Sequence, residues 1–528
     1  ASTPARNPIA ASSIASFLRE KCGWETKTLP TQVSNFEVEK LVDLFKQRSW
    51  LPQDYEPKNK GHVNIYETVK SKMPYVERTL DESILDQIHL IDTFPKGKMY
   101  YLLSIRDIVY GNAGLGINGI DMDTSPGKPW IDMPGYKTRK EIFGANISQM
   151  KPKMLEAINE CLTKLMSPDG YLSIYSLQFK IERKEADKVL LGKTRGFCAG
   201  PVEAQICAQV FIGWFNQLYK NHPTTTPMVY AVNPHSAEWG ILARRLGRHP
   251  NVITTDASNW DFRQMRRMGE KVVEERWKFW LYLLDNDLFR NNLDGWNGEI
   301  PSRDALMHGL WNSVMLGMVA LINSGTDVVM CYGQAKSGGP ETTNFNCNLN
   351  ALTWRYVFIY LARLHSIRFE GSYMDAYKEF IEDAYVGDDC RLQVSNDIHE
   401  WFNQVTAAPV WLSEFLITLT SSSKSIITSD FEDSYDASLI KRTFDWKEGW
   451  CYAPLPRDVI QEMVMWCTEP KRDATIVSQT VTSSLWEAAH HGRDYYDYVH
   501  SCLQRACLSR VKFTPLTYDQ VLAKIHRA

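Results

Sequence analysis

Residues 384–394 read AYVGDDCRLQV. An apolar run, a Gly387-Asp388-Asp389 turn and a second apolar-rich run predict strand, turn, strand. A hairpin whose tip carries two carboxylates needs a further acid opposite it to do chemistry. Upstream, residues 252–255 form a short β-rich run that ends in Asp256, with Asp261 five positions later in TTDASNWDF. If the two strands pair side by side, Asp256 and Asp388 approach closely enough to hold two divalent cations. Mg²⁺ prefers hard carboxylate oxygens and keeps positions open for phosphate oxygens. Two such ions clamp the attacking and leaving oxygens of an in-line phosphoryl displacement. Taken alone, an Asp-rich tip is more often only a turn, because Asp tolerates the left-handed region.

Two further constellations lie along the chain. In KSGGPETTNFNCN, Ser337-Gly338-Gly339 leads into a helix start, with Thr342 and Asn346 spaced i, i+4 on one face. Ser, Thr and Asn can read a ribose hydroxyl without carrying charge, and Asp261 can complete that network. The 2′-hydroxyl is the group that separates RNA from DNA. The plain alternative is a Gly turn with a helix cap. Around residues 180–195, Lys180, Arg183, Lys184, Lys188, Lys193 and Arg195 interleave with Glu182, Glu185 and Asp187. Strands presenting alternate Lys and Arg would line an entrance for triphosphates; a solvated charged hairpin is the commoner fate of such a run.

Composition narrows the class. The 528 residues carry 59 Lys and Arg against 62 Asp and Glu, a formal charge of −3. That excludes a generically basic nucleic-acid coat, so a bound polyanion must meet a local basic surface. Aromatics at 12% exclude a disordered chain, and the length predicts several subdomains. No stretch reaches the ~18 apolar residues of a spanning helix; the nearest, 314–322, is interrupted by Gly317. The first residues, ASTPARNPIAASS, lack a signal core and begin with Ala, as expected of a processed or trimmed product. The 11 cysteines form no CxxC pair, which argues against zinc ribbons and fits a reducing compartment.

Helical spacing predicts helices near 36–45 (capped by Ser34 and Glu37), 79–91, 150–166, 202–219, 270–288, 349–361, 458–466 and 483–504. Residues 111–119 are Gly-rich, and Pro126, Gly127 and Pro129 mark a tight loop. Residues 171–195 are expected as strands joined by a basic turn.

In this order, the segments resemble the RNA-dependent RNA polymerases of positive-strand RNA viruses, in the picornavirus-like supergroup. The likeness covers much of residues 124–465. Asp256-x4-Asp261 is similar to motif A, Ser337-Gly338-x3-Thr342-x3-Asn346 to motif B, Gly387-Asp388-Asp389 to motif C and Lys180 through Arg195 to motif F. Ser125-Pro126-Gly127 looks like motif G at the template entrance. LTSSSKS, with Lys424, resembles motif D. Ser438 to Arg442 resembles motif E, the primer grip. Val386 stands where many relatives have Tyr, and Pro340-Glu341 puts a rigid, acidic pair in the motif B loop, which bears on translocation.

The resemblance implies an α+β fold, a closed right hand of fingers, palm and thumb around an RRM-like antiparallel palm sheet. Expected bounds are fingers 1–250, including N-terminal fingertips and part of the palm entry, palm 251–445 with an inserted fingers segment at about 265–330, and thumb 446–528. It assigns Asp256, Asp388 and Asp389 to two Mg²⁺ or Mn²⁺ ions. Asp261, Ser337, Thr342 and Asn346 become nucleotide selectors. Lys180, Lys184, Lys188 and Arg195 meet the triphosphate, and Lys424 protonates the departing pyrophosphate. Ser125, Pro126, Gly127, Gly338, Lys441 and Arg442 face RNA. Template and nascent RNA, NTPs, other viral replication proteins and a genome-linked protein primer are the implied partners, in a replication complex in the host cytoplasm. The alternatives are a reverse transcriptase, disfavoured by Asn346 and Asp261, and a catalytically inactive RNA-binding scaffold, disfavoured by the complete carboxylate set.

Overall fold

The strand before Asp256 does lie beside the hairpin. In the computed structural model, Ile381–Val386 and Asp389–Val394 pair antiparallel, and Asn251–Ile253 adds to the second strand with Ile253 opposite Leu392. The structure describes residues 9–31, 49–50, 79–191, 194–315, 318–322, 327–331, 338–507 and 516–528. Ser337, Lys193 and the helix expected at 36–45 lie outside the described residues.

The expected continuous run at 252–255 is broken at Thr254. Asn251–Ile253 pairs with the hairpin, whereas Thr255–Ala257 pairs with Leu419–Ser421 on the other side. One kinked strand thus serves two partners and turns Asp256 toward the hairpin tip. Two helices, Thr342–Leu364 and Gln404–Phe415, pack together behind these strands. The chain order is therefore strand, helix, two strands, helix, strand, and the spatial order is last, first, third, second. That is the RRM-like arrangement, with a long insertion after the first strand.

Thr342–Leu364 starts earlier than the apolar spacing predicts, because its first two turns are buried through Asn344, Asn346, Cys347 and Asn348 rather than through aliphatic side chains. Apolar residues enclose it all round farther on, including Trp354, Tyr356 and Phe358, each 0% exposed. A helix buried on every face shows no amphipathic stripe.

The fingers side is a five-stranded sheet in the order Ser49–Trp50, Asp327–Cys331, Met318–Ile322, Ser173–Phe179 and Gly196–Ala199. The buried helix Val202–Asn221 packs on Pro152–Leu165 and Arg303–Val314. Between Phe179 and Gly196 the chain makes a long excursion, not a simple basic turn: it includes the strand Arg183–Glu185 and the short helix Ala186–Leu190. Residues 226–246, the end of the segment expected to hold the fingers and part of the palm entry, pack on the palm. Met228 bridges Tyr385 in parallel, and Ala237–Leu246 lies against Ile381–Val386.

The thumb core joins Val477, Val481, Leu485, Val499 and Leu503 to Ile14, Leu18 and Trp24 from the N-terminal region. The single helix expected at 483–504 is two, Asp473–Ala489 and Arg493–Cys507, parted where Gly492 takes φ 94°. The N-terminal segment is a strap between lobes. Ala10–Ala11 pairs with Trp466–Cys467 of the thumb, and Thr28–Pro30 pairs with Arg183–Glu185 of the fingers. Among the described residues no helix is long and apolar enough to cross a membrane.

Candidate active site

Val386 pairs with Asp389, which leaves Gly387 and Asp388 as a two-residue turn. Gly387 has φ 68° and Asp388 does not share the positive φ, the signature of a II′ hairpin. The long helix behind clamps this tip. Asn350 Nδ2 donates to the carbonyls of Gly387 at 3.2 Å and Asp388 at 3.0 Å. The Gly387 N–H donates to Cys347 Sγ at 3.0 Å.

Four acids and two bases meet at the tip. Lys424 Nζ lies 3.6 Å from Asp256 Oδ2. Both side chains are about half exposed, so the attraction is screened and contributes at most about 1 kcal/mol. Asp389 Oδ2 accepts the Ile440 N–H at 2.6 Å. Burial pushes Asp389 up to about 6; the Ile440 N–H pulls it back, and Asp388 and Asp256 add to the rise. Asp388 reaches solvent, yet the protein crowding its recess raises it, with Arg195 opposing and Asp256 reinforcing. Asp261 is likewise pushed up to about 6, by burial first and Asp388 second, with Arg195 pulling it down. Clustered carboxylates that resist ionisation are what a divalent cation relieves, so the donor set fits hard metal ions, with one Asp389 oxygen already engaged by backbone.

The expected selectors are partly assembled. Asn346 Oδ1 accepts from Trp260 Nε1 at 2.9 Å, which ties the motif B helix to the turn that carries Asp261. Thr342 Oγ1 donates to the Gly339 carbonyl at 3.1 Å. Gly338 has φ 98°, and a Cβ there would stand 2.3 Å from the Cys198 carbonyl oxygen. Glu341 does not acidify the loop as expected. It is buried, and Arg276 Nη1 donates to it at 2.5 Å; removing either partner would strand a buried charge at a cost of about 3–5 kcal/mol.

In the basic segment, Glu182 lies 3.5 Å from Lys180 and 3.6 Å from Lys184, and Glu185 lies 2.7 Å from Lys188. Burial lowers Lys184. Arg183 leaves the segment to donate to the Glu462 carbonyl of the thumb at 3.0 Å. Arg195 is exposed and is felt by both Asp261 and Asp388. After the Lys188 contact, Lys424 and Lys441 also lower Glu185, so the segment sits across from both lysines.

The Ser125-Pro126-Gly127 loop is fixed by Val202 N–H donating to the Pro126 carbonyl at 2.9 Å and by Arg139 Nε donating to the Ser125 carbonyl at 3.1 Å. A Cβ on Gly127, at φ 77°, would collide with the Gly200 carbonyl. The Gly-rich segment forms one wall of a cavity of about 320 Å³ behind the motif B loop, lined also by Gln205, Gln209 and Pro340.

Lys441 is exposed, as a primer contact requires. Arg442 is a correction: it is 8% exposed and points into the thumb, with both Nη atoms on Glu487 at 2.7 Å. Sequence reasoning missed Asn350, Cys347 and Arg139. Asn350 carried a signal, since Asn346 and Asn350 extend the Thr342 face at i, i+4 spacing.

A family model described as viral RNA-dependent RNA polymerase matches residues 63–290 and 310–506. The chain is 25% identical over 402 residues to the replicase polyprotein of Cricket paralysis virus, covering 74% of this chain and 22% of that polyprotein. It is 22% identical over 498 residues to the genome polyprotein of Human hepatitis A virus genotype IIA, covering 92% and 19%. The chain thus spans about a fifth of the length of these two polyproteins. Among solved structures, the Sicinivirus 3Dpol RNA-dependent RNA polymerase superposes with a TM-score of 0.71 at 17% identity, covering 99% of this chain and 96% of that chain. The fold is therefore the right hand that the palm topology suggests.

Proposed function

The chain belongs to the viral RNA-dependent RNA polymerase family, and on that premise we propose that it synthesises RNA from NTPs on an RNA template. The observation that carries this reading is the convergence of Asp256, Asp388 and Asp389 beside Lys424, with Arg195 and Asp261 in the same field. Asp256, Asp388 and Asp389 would hold two Mg²⁺ or Mn²⁺ ions, whose chemistry there would be to activate a 3′-hydroxyl and neutralise the triphosphate. Arg195 and the Lys180–Lys188 segment hold the incoming triphosphate. Asp261, Asn346 and Thr342 read its ribose. Lys424 carries a proton at Nζ and delivers it to the departing pyrophosphate. Ser125, Gly127 and Gly338 line the template side, and Lys441 faces the nascent strand.

Primer extension on an RNA template with NTPs or dNTPs tests this reading. NTPs are expected to be strongly preferred; better use of dNTPs would establish a reverse transcriptase instead. The relatives are replicase and genome polyproteins, which supports work within a replication complex in the host cytoplasm. The partners there would be other viral replication proteins and a genome-linked protein primer; uridylylation of a Tyr-bearing peptide tests the primer.

A further inference from the structure

Arg442, withdrawn from RNA, closes a ring of hydrogen bonds. Its Nη1 donates to the Ala453 carbonyl at 2.8 Å as well as to Glu487. Glu487 Oε1 lies 3.3 Å from His235 Nε2. His235 Nδ1 lies 2.8 Å from His490 Nε2, and His490 Nδ1 accepts the Ala453 N–H at 3.1 Å. A backbone N–H can only donate, so His490 Nδ1 is bare and its single hydrogen sits on Nε2. That hydrogen goes to His235 Nδ1, and the hydrogen on His235 Nε2 goes to Glu487. One proton arrangement satisfies every atom, and the circuit begins and ends on Ala453. His490 is 1% exposed, and burial pushes it down to about 3, in keeping with a neutral ring.

The ring's other end is at the catalytic acids. Leu439 and Arg442 exchange both backbone hydrogen bonds, at 2.9 and 3.0 Å, around a two-residue turn. Ile440 at φ 51° and Lys441 at φ 63° are both left-handed. That turn favours Asn and Gly, and a β-branched residue there is strained. Strain of this kind persists only where the surroundings over-determine it. The strained N–H of Ile440 is the donor to Asp389 Oδ2.

We propose that His235, Glu487 and His490 are positioning residues for Asp389: through Arg442 they hold the Leu439–Arg442 turn in the strained form that aims Ile440 N–H at that carboxylate. The inference rests on the polymerase reading. The same three side chains bring ligand atoms within 4.8 Å of one another, the spacing of a metal site. Their chemistry points elsewhere, since Arg442 already occupies both Glu487 oxygens and His490 Nε2 carries a hydrogen.

The test uses the full chain and the variant Glu487→Gln. Its half-saturating Mg²⁺ concentration in primer extension is expected to rise about tenfold, the usual effect of loosening a partner behind a metal ligand, with RNA affinity unchanged. Adding Ile440→Gly, which relieves the strained φ, is expected to restore much of that loss. A role in folding alone would reduce the active fraction and leave the half-saturating concentration where it was; that result overturns the inference. If Glu487→Gln does not fold, the milder His235→Asn is expected to show the same shift. If the wild type extends no primer, the polymerase reading fails, and calorimetric Mn²⁺ affinity, about tenfold weaker in the variant, decides the positioning by itself. Stoichiometric zinc in the wild type, lost in His235→Asn, would also overturn it.

Discussion

Asn350, 1% exposed in the helix behind the palm, donates its side-chain amide to the backbone carbonyl of Asp388 at 3.0 Å. It shares that amide with the Gly387 carbonyl, so one buried side chain sets the turn that presents the central carboxylate. Asn350→Ala leaves both carbonyls without that donor and is expected to cost about 1–3 kcal/mol of stability, with a fall in extension rate beyond any loss of folded protein. Denaturation and initial rates on the same samples check this. A stability loss with the rate per folded molecule intact would show that the clamp does not reach the chemistry.

Asp388→Ala removes the hairpin-tip carboxylate proposed as a metal ligand. Primer extension is expected to fall at least a hundredfold, on the order of 3 kcal/mol of barrier, with RNA binding retained. Continued synthesis by the variant would refute the assignment. Synthesis by neither protein would revive the scaffold reading.

Lys424→Ala is expected to slow the chemical step and leave RNA affinity within about twofold, since the exposed Lys424 pairs with Asp256 in a screened contact. Single-turnover rates and RNA-binding titrations separate the two effects. A matching loss of RNA affinity would make Lys424 a template contact.

Metal and pH should be linked at this site. Asp389 and Asp261 titrate near about 6 in the folded chain against a reference of 3.8. The folded state therefore holds protons that the unfolded state has released. The stability these groups contribute is full below the unfolded value and is lost as pH rises through about 6. A divalent cation binds the ionised form and offsets the loss. Mg²⁺ should then raise the melting temperature more at about pH 8 than at about pH 5, as differential scanning fluorimetry can record. Equal shifts at both would mean that the ion binds elsewhere.

The hairpin was legible because a two-residue Gly-Asp turn between apolar runs is a local signal, and the motif order followed from it. The kink at Thr254 was not, because nothing in 252–255 says that the strand changes partner between Asn251–Ile253 and Thr255–Ala257. Arg442 was misread for a related reason. A basic residue beside exposed Lys441 reads as a nucleic-acid contact, and its real partner, Glu487, lies 45 positions away in the thumb. The same holds for Glu341, whose fate depends on Arg276, 65 positions earlier. Local spacing places the acids; distant charge partners decide which ionic groups stay exposed.

The N-terminal strap has a topological consequence. The palm joins fingers and thumb through the chain, and the strap joins them again through strand pairing at Arg183–Glu185 and Trp466–Cys467. Among the described residues, the lobes therefore meet in a seam made of those two pairings and the direct Arg183–Glu462 hydrogen bond. On the polymerase reading, a linear template would be threaded through by its end. A covalently circular RNA has no end, so its entry would require this seam to open, the direct Arg183–Glu462 contact included.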